Sequence, residues 1–282
     1  MIAKVLSPIA VGVILLLPMT TRASDEQLPS YLRDRGTGVA TSLFGTYLRK
    51  GELLIYPFYE YTRNKDQEYS PNELGYGIDT DYRAKSTEHE GLIFVSYGLA
   101  DGVIFEIESA IHAKATLEKA PEDVTPRPAT LEESGFGDTQ AEIRWRWCPE
   151  TESRPELWSY FEVVFPFQKD RILIGTSEWE FIQGFGMTRG FPWGTLTTRV
   201  SASYTGEEKA VEFSEYAVEY LKRLSPAWRA LLAVEGEQDE IALIAEAQWR
   251  LSQRITLKLN NGFGLTSKAP ELAPEVGVAF TF

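Results

Sequence analysis

The side chains best suited to covalent or metal chemistry are scarce, with two histidines and one cysteine in 282 residues. His89 stands in Ser86-Thr-Glu-His-Glu-Gly91, and His112 follows Ser109 by three positions. A nucleophile and its base must lie within hydrogen-bond reach. Residues three apart on a strand point to opposite faces, which argues against a Ser109–His112 dyad. Neither histidine has a second ligand at metal-site spacing. Cys148 is alone, so no intrachain disulfide is available. Gly135-Phe-Gly137-Asp138 is no phosphate loop, because no helix is predicted after it. It reads as a turn entering a strand. No catalytic residue, metal ligand or cofactor is assigned.

The remaining chemistry is charge set into an alternating pattern. In Gln140 to Trp147, one face holds Gln140, Glu142, Arg144 and Arg146, and the other Ala141, Ile143, Trp145 and Trp147. Ile241 to Leu251 alternates likewise, with Glu246, Gln248 and Arg250 opposite Ala245, Ala247 and Trp249. Successive strand residues face opposite sides, so these are two-faced strands. The predicted inward set is Glu106, Glu108, His112, Lys114, Glu142, Arg144, Arg146, Glu162, Arg199, Glu246, Arg250 and Lys258. Glu106 and Glu108 are expected to oppose Arg144 and Arg146 across neighbouring strands. Such charges either tune which solutes pass or form a ladder filling a narrow interior.

The elements that position these residues begin after a targeting segment. Lys4, the apolar run Val11 to Leu17, and Thr21-Arg22-Ala23 fit a signal peptide over 1–23, cut after Ala23. The apolar run is too short for a membrane helix of about 20 residues. Its removal changes the formal charge from -13 to -15, since Lys4 and Arg22 leave with it. An acidic chain is a poor partner for nucleic acid. Residues 24–51 are expected to form an N-terminal periplasmic or plug segment, with a short amphipathic helix over 39–50.

From Leu53 the period is two. Twelve strands are predicted, at 52–63, 87–98, 102–114, 138–148, 156–168, 178–189, 194–205, 210–223, 227–236, 239–250, 254–264 and 273–282. Most approach the about 9–11 residues of a tilted membrane strand. Long connections at 64–86 and 115–137 fall on one side, and short turns mostly on the other, as in outer-membrane barrels. Six of seven tryptophans (Trp145, Trp147, Trp158, Trp193, Trp228 and Trp249) map near the short-turn end, suggesting an interfacial girdle. The aromatic Phe282 closes the last strand. The reading is all-β: a transmembrane antiparallel up-and-down barrel over 52–282, in contact with outer-membrane lipid. A soluble periplasmic β-sandwich is the alternative fold.

Several short segments resemble a known family. Glu133-Ser-Gly-Phe-Gly-Asp138 with the strand after it, Tyr97-Gly-Leu-Ala-Asp101, Asn261-Gly-Phe-Gly-Leu-Thr266 and Ala273 to Phe280 are similar to signatures of the MetA-pathway-of-phenol-degradation family of outer-membrane proteins. The resemblance spans roughly 85 to 282. Ala100 departs from it, standing where the family has Thr. It implies a barrel that moves small, often hydrophobic molecules, and no catalytic residues. The leading functional expectation is therefore passive passage of a small-molecule solute through the lumen. A structural or binding barrel with a filled interior is the second reading, and an outer-membrane enzyme the third.

Overall fold

The computed structural model describes residues 28–168, 170–206 and 209–282. The expected signal peptide at 1–23 lies outside the described residues. A 3-10 turn at Ser30–Leu32 leads into a small hairpin, β1 (Val39–Ala40) and β2 (Tyr47–Leu48). The barrel strands follow: β3 (Leu53–Tyr69), β4 (Tyr82–Ala100), β5 (Val103–Glu118), β6 (Thr130–Gly135), β7 (Thr139–Cys148), β8 (Glu156–Phe165), β9 (Glu180–Phe191), β10 (Gly194–Thr205), β11 (Val211–Arg223), β12 (Trp228–Glu237), β13 (Glu240–Arg250), β14 (Ile255–Gly264) and β15 (Ala273–Thr281). Both β6 and β7 pair with β5, so together they form one strand interrupted at 136–138. The result is a closed antiparallel barrel of twelve strands.

The seam lies between the last strand and the first. Val276 pairs with Tyr59, Gly277 with Phe58, Phe280 with Ile55 and Thr281 with Leu54. Phe282 and Leu53 exchange backbone bonds of 2.8 and 3.1 Å. Closure removes the edges that the sandwich alternative would retain, leaving an unpaired side only along β6, which pairs with β5 alone. Outward positions carry exposed apolar residues such as Phe105, Ile107, Ile143, Phe161, Phe185, Leu232, Leu259 and Val276. This is the apolar surface a barrel presents to lipid. At the short-turn end Trp228 stacks on Trp249 with ring centres 5.4 Å apart, and Trp193 stacks on Phe191 at 4.7 Å.

Three expectations need correction. Residues 39–50 form a hairpin, not a helix. Thr41 and Thr46 pair across a tight turn in which Gly45 has φ +63, and a Cβ there would lie 2.7 Å from the Gln248 amide. Only glycine satisfies both conditions. Trp158 does not join the girdle. It shares the inner face with Glu156 and Tyr160, is 1% exposed, and donates to Thr188 Oγ1 at 3.1 Å. Gly186 and Gly184 leave the space, since a Cβ on either would run into Trp158 or Tyr160.

His112 and Lys114 do not face inward either. Leu92 pairs with Ala110 and Gly91 with His112, so Ile111 is an extra residue in β5. A one-residue bulge reverses which face every later side chain occupies. His112 and Lys114 are therefore exposed on the outside, while Ala113, Ala115 and Leu117 are buried. Alternation alone does not reveal a bulge.

The strands run beyond their predicted ends and shorten the long loops to 70–81 and 119–129. In the second loop, Asp123 accepts from Tyr69 Oη at 2.9 Å and from the Thr125 amide and hydroxyl at 2.8 and 2.6 Å. Burial opposes the charge on Asp123. The hydrogen bonds from Thr125 and Tyr69, with Lys119 nearby, outweigh it and hold its carboxyl below the usual aspartate range. A depressed folded pKa gives stability that is present above the unfolded value and lost as pH falls through the folded one. Amide exchange over 120–127 should therefore stay slow down to the ordinary aspartate pKa of about 3.9 and accelerate below it. Asp123→Asn should exchange fast at neutral pH as well. A loop equally protected in both proteins would contradict this. The seam has its own test. In a Cys148→Ser background, cysteines at Tyr59 and Val276 should join within one chain on oxidation, and failure to do so would contradict the pairing.

Candidate functional site

The inner face of the barrel is polar, and the N-terminal hairpin sits within it. One wall reaches the hairpin from β5 and β7. The Ser42 amide donates to Glu106 Oε2 at 2.9 Å, and Ser96 Oγ donates to Glu106 Oε1 at 3.1 Å. Arg144 bonds Glu142 through Nε at 2.7 Å and the Thr41 carbonyl through Nη1 at 3.1 Å. Its guanidinium also lies 4.5 Å from the Trp158 ring and 4.9 Å from that of Tyr160. The cation is thus held by a carboxylate, a carbonyl and two π faces.

The opposite wall reaches the hairpin from β13 and β14. Lys258 Nζ bonds the Phe44 carbonyl at 2.9 Å and Glu246 Oε2 at 3.2 Å. Gln248 bonds Glu246 Oε1 at 2.6 Å and leans toward the carbonyls of Phe44 and Gly45. Arg199 lies 4.9 Å from the Phe44 ring and bonds Glu235 at 2.7 Å. Nearer the short turns, Arg146 bonds Glu156 and the carbonyls of Thr37 and Gly38, each at 3.2 Å. Buried Arg35 bonds Glu150 at 2.8 Å and Glu156 at 3.2 Å.

The predicted residues therefore divide. Glu106, Glu142, Arg144, Arg146, Arg199, Glu246 and Lys258 surround the hairpin. Glu108 and Glu162 line the cavity above it, and Arg250 lies below it, near the short turns. The predicted cross-strand pairing differs in register. Ile104 opposes Arg144, Glu106 opposes Glu142, and Glu108 opposes Gln140. Two carboxylates thus meet directly, which is unfavourable without compensation. Arg144 and the hairpin amide supply it. Sequence reasoning missed Arg35, Glu150, Trp158 and Gln248 as parts of this assembly. His89 shares a 2.6 Å hydrogen bond with Tyr59, itself exposed on the outer face.

Between the hairpin and the longer loops lies a cavity of about 500 Å³ whose floor is Ser42, Leu43 and Phe44. Ten carboxylates line it (Glu60, Glu90, Glu108, Asp138, Glu142, Glu162, Glu180, Glu215, Glu237 and Glu275), against the guanidiniums of Arg144 and Arg199. Glu235 and Glu240 continue the acidic lining into an adjoining space of about 340 Å³. The segment after β8 folds over this mouth. Thr176 donates to Asp138 from its amide and its hydroxyl, both at 2.6 Å, and Ile174 is buried against alanines of β5.

No protein-family profile matches the chain, and no curated protein matches it in sequence. Solved structures do match. An outer membrane channel from Pseudomonas putida F1 aligns with a TM-score of 0.59 at 14% identity, covering 86% of this chain and 100% of that one. The KdgM porin, solved in complex with disordered oligogalacturonate, aligns at 0.52 and 9% identity, covering 81% of this chain and 99% of that one. At these identities the likeness is one of fold. The shared fold is a closed antiparallel β-barrel of the kind found in Gram-negative outer membranes.

Removing one partner of a buried ion pair leaves an uncompensated charge, at a cost of about 3–5 kcal/mol. Arg144→Ala should lower the unfolding free energy in detergent by about that amount and expose 39–48 to proteolysis. A loss below about 1 kcal/mol, typical of surface pairs, would contradict the anchoring role.

Proposed function

We propose that this barrel is a channel for passive passage of a small solute across the outer membrane, with the N-terminal segment 24–51 acting as a plug that shifts to open it. The observation that carries the reading is the cavity on the loop side of the hairpin. It ends on Ser42, Leu43 and Phe44, and the hairpin is held by hydrogen bonds and ion pairs rather than by a covalent link. Polar anchors of this kind exchange readily with water once the hairpin moves. The fold shared with the Pseudomonas channel agrees with this reading.

The lining also bears on the solute. The family resemblance implied a small, often hydrophobic molecule. Ten carboxylates against two guanidiniums instead favour a polar cation, because clefts lined by one sign of charge concentrate the opposite sign. The rival reading, a structural barrel with a filled interior, draws on the same hairpin and on buried Arg144 and Lys258.

Planar-bilayer recording separates the two. The channel reading expects stepwise conductance and, under a potassium chloride gradient, a reversal potential with the sign of cation preference. Replacing Glu60, Glu215 and Glu275 together by Gln should reduce that preference while conductance persists. A silent bilayer, with liposomes that fail to swell in small solutes, would sink the channel reading.

A further inference from the structure

Toward the mouth of the barrel three carboxylates stand without a counter-charge. Glu60 on β3 and Glu90 on β4 are direct cross-strand partners, and Glu88 follows on the same inner face, opposite Thr62. Like charges placed directly opposite each other destabilise a sheet. Beside the hairpin Arg144 offsets the similar meeting of Glu106 and Glu142, but no cation does so here. Among the described residues Glu88 and Glu90 have neither an ion pair nor a hydrogen bond. The charges that act on Glu88 are Glu60 and Asp138, both of its own sign.

The surface beside Glu88 supplies the independent observation. A pocket of about 260 Å³ lies between the inner faces of β3, β4 and β5, the loop 70–81 and the segment after β8. Glu88 stands in its wall, and Tyr69, Leu74, Ala115, Leu117, Ile172 and Leu173 give it an apolar side. Glu68 and Glu73 of the same wall already have partners. Tyr69 and Leu117 belong to a buried cluster against which Leu74 and Leu173 pack, so the apolar side is fixed in place. Ile172 is 46% exposed at its edge. Apolar surface left open in a concave site and rimmed by polar groups is the common form of a ligand pocket.

We propose that this pocket binds a small organic cation, an ammonium carrying one compact apolar group. The ammonium faces Glu88 and the cavity carboxylates beyond it, and the apolar group packs against Leu74, Leu117, Ile172 and Leu173. A cavity of about 150 Å³ holds benzene, so there is room for one ring and its charged substituent. An inorganic cation would offset Glu88 but leave the apolar side wet. A neutral hydrocarbon would cover the apolar side but leave the carboxylates uncompensated. As the first station of a permeating solute the site rests on the channel reading, while binding itself needs no open pore.

The test is calorimetric titration of benzylammonium chloride into the full-length protein in detergent micelles, with the heat of titration into empty micelles subtracted. The expected result is saturable binding at one site, about tenfold or more tighter than benzyl alcohol, which lacks the charge, and methylammonium, which lacks the ring. Glu88→Gln should weaken benzylammonium by a similar factor and leave benzyl alcohol unchanged. Ile172→Ser, on the exposed edge, should weaken benzylammonium and leave methylammonium unchanged. Glu212→Gln, an exposed carboxylate at the outer end of β11, should change nothing. Heat-modifiable gel mobility checks that each variant is folded, and if Glu88→Gln fails to fold, Ile172→Ser decides alone. Saturable binding by a protein that is silent in a bilayer supports the site and contradicts only the channel reading. Conductance without saturable binding overturns this proposal alone. Equal affinity for the three probes, or for the parent and both pocket variants, also overturns it.

Discussion

Hydrocarbon offers no hydrogen-bond partner to a backbone amide or carbonyl, and each one left unpaired there costs several kcal/mol. A strand-built protein meets that constraint only by joining its last strand to its first. Here the joint is β15 against β3, finished by the reciprocal bonds of Leu53 and Phe282. Everything else in the molecule follows from that closure. It divides the side chains into an exposed, largely apolar outer set and an inner set that packs against itself and the N-terminal segment.

Around and above the hairpin the inner set is acidic. Its cations there are few and are used locally. Arg144 offsets Glu142 and the directly facing Glu106, Lys258 offsets Glu246, and Arg199 offsets Glu235 and Glu215. The hairpin completes these clusters with backbone groups. The Ser42 amide meets a carboxylate, and the carbonyls of Thr41 and Phe44 meet a guanidinium and an ammonium. A backbone loop is well suited to this task because it carries donors and acceptors in equal number and adds no net charge. The hairpin is thereby both a structural element of the charged interior and the floor of the cavity above it.

Much of this was legible in the sequence, for a physical reason. Period-two alternation reports directly on the two environments of a barrel wall, so the strands and the seam were readable, and most of the inward charges with them. Three kinds of feature were not. A bulge at Ile111 leaves no mark on composition, so His112 and Lys114 were assigned to the wrong face. Register is set by geometry between strands, so Glu106 met Glu142 rather than Arg144. Contacts between the N-terminal segment and the wall join residues over a hundred positions apart, as in Arg35 with Glu150, and no periodicity encodes them. The hairpin was misread for a related reason. Its conformation depends on Gly45 fitting against Gln248, a neighbour 203 residues away in sequence.

The proposed role of the hairpin is that of a plug that must leave its seat before solute passes. It is tested most directly by tethering the hairpin and recording current. With Ser42→Cys and Glu106→Cys in a Cys148→Ser background, a short dithiol-reactive cross-linker should silence the channel in a planar bilayer, and a reductant that cleaves the linker should restore it. Current that is the same whether the hairpin is tethered or released would contradict the account.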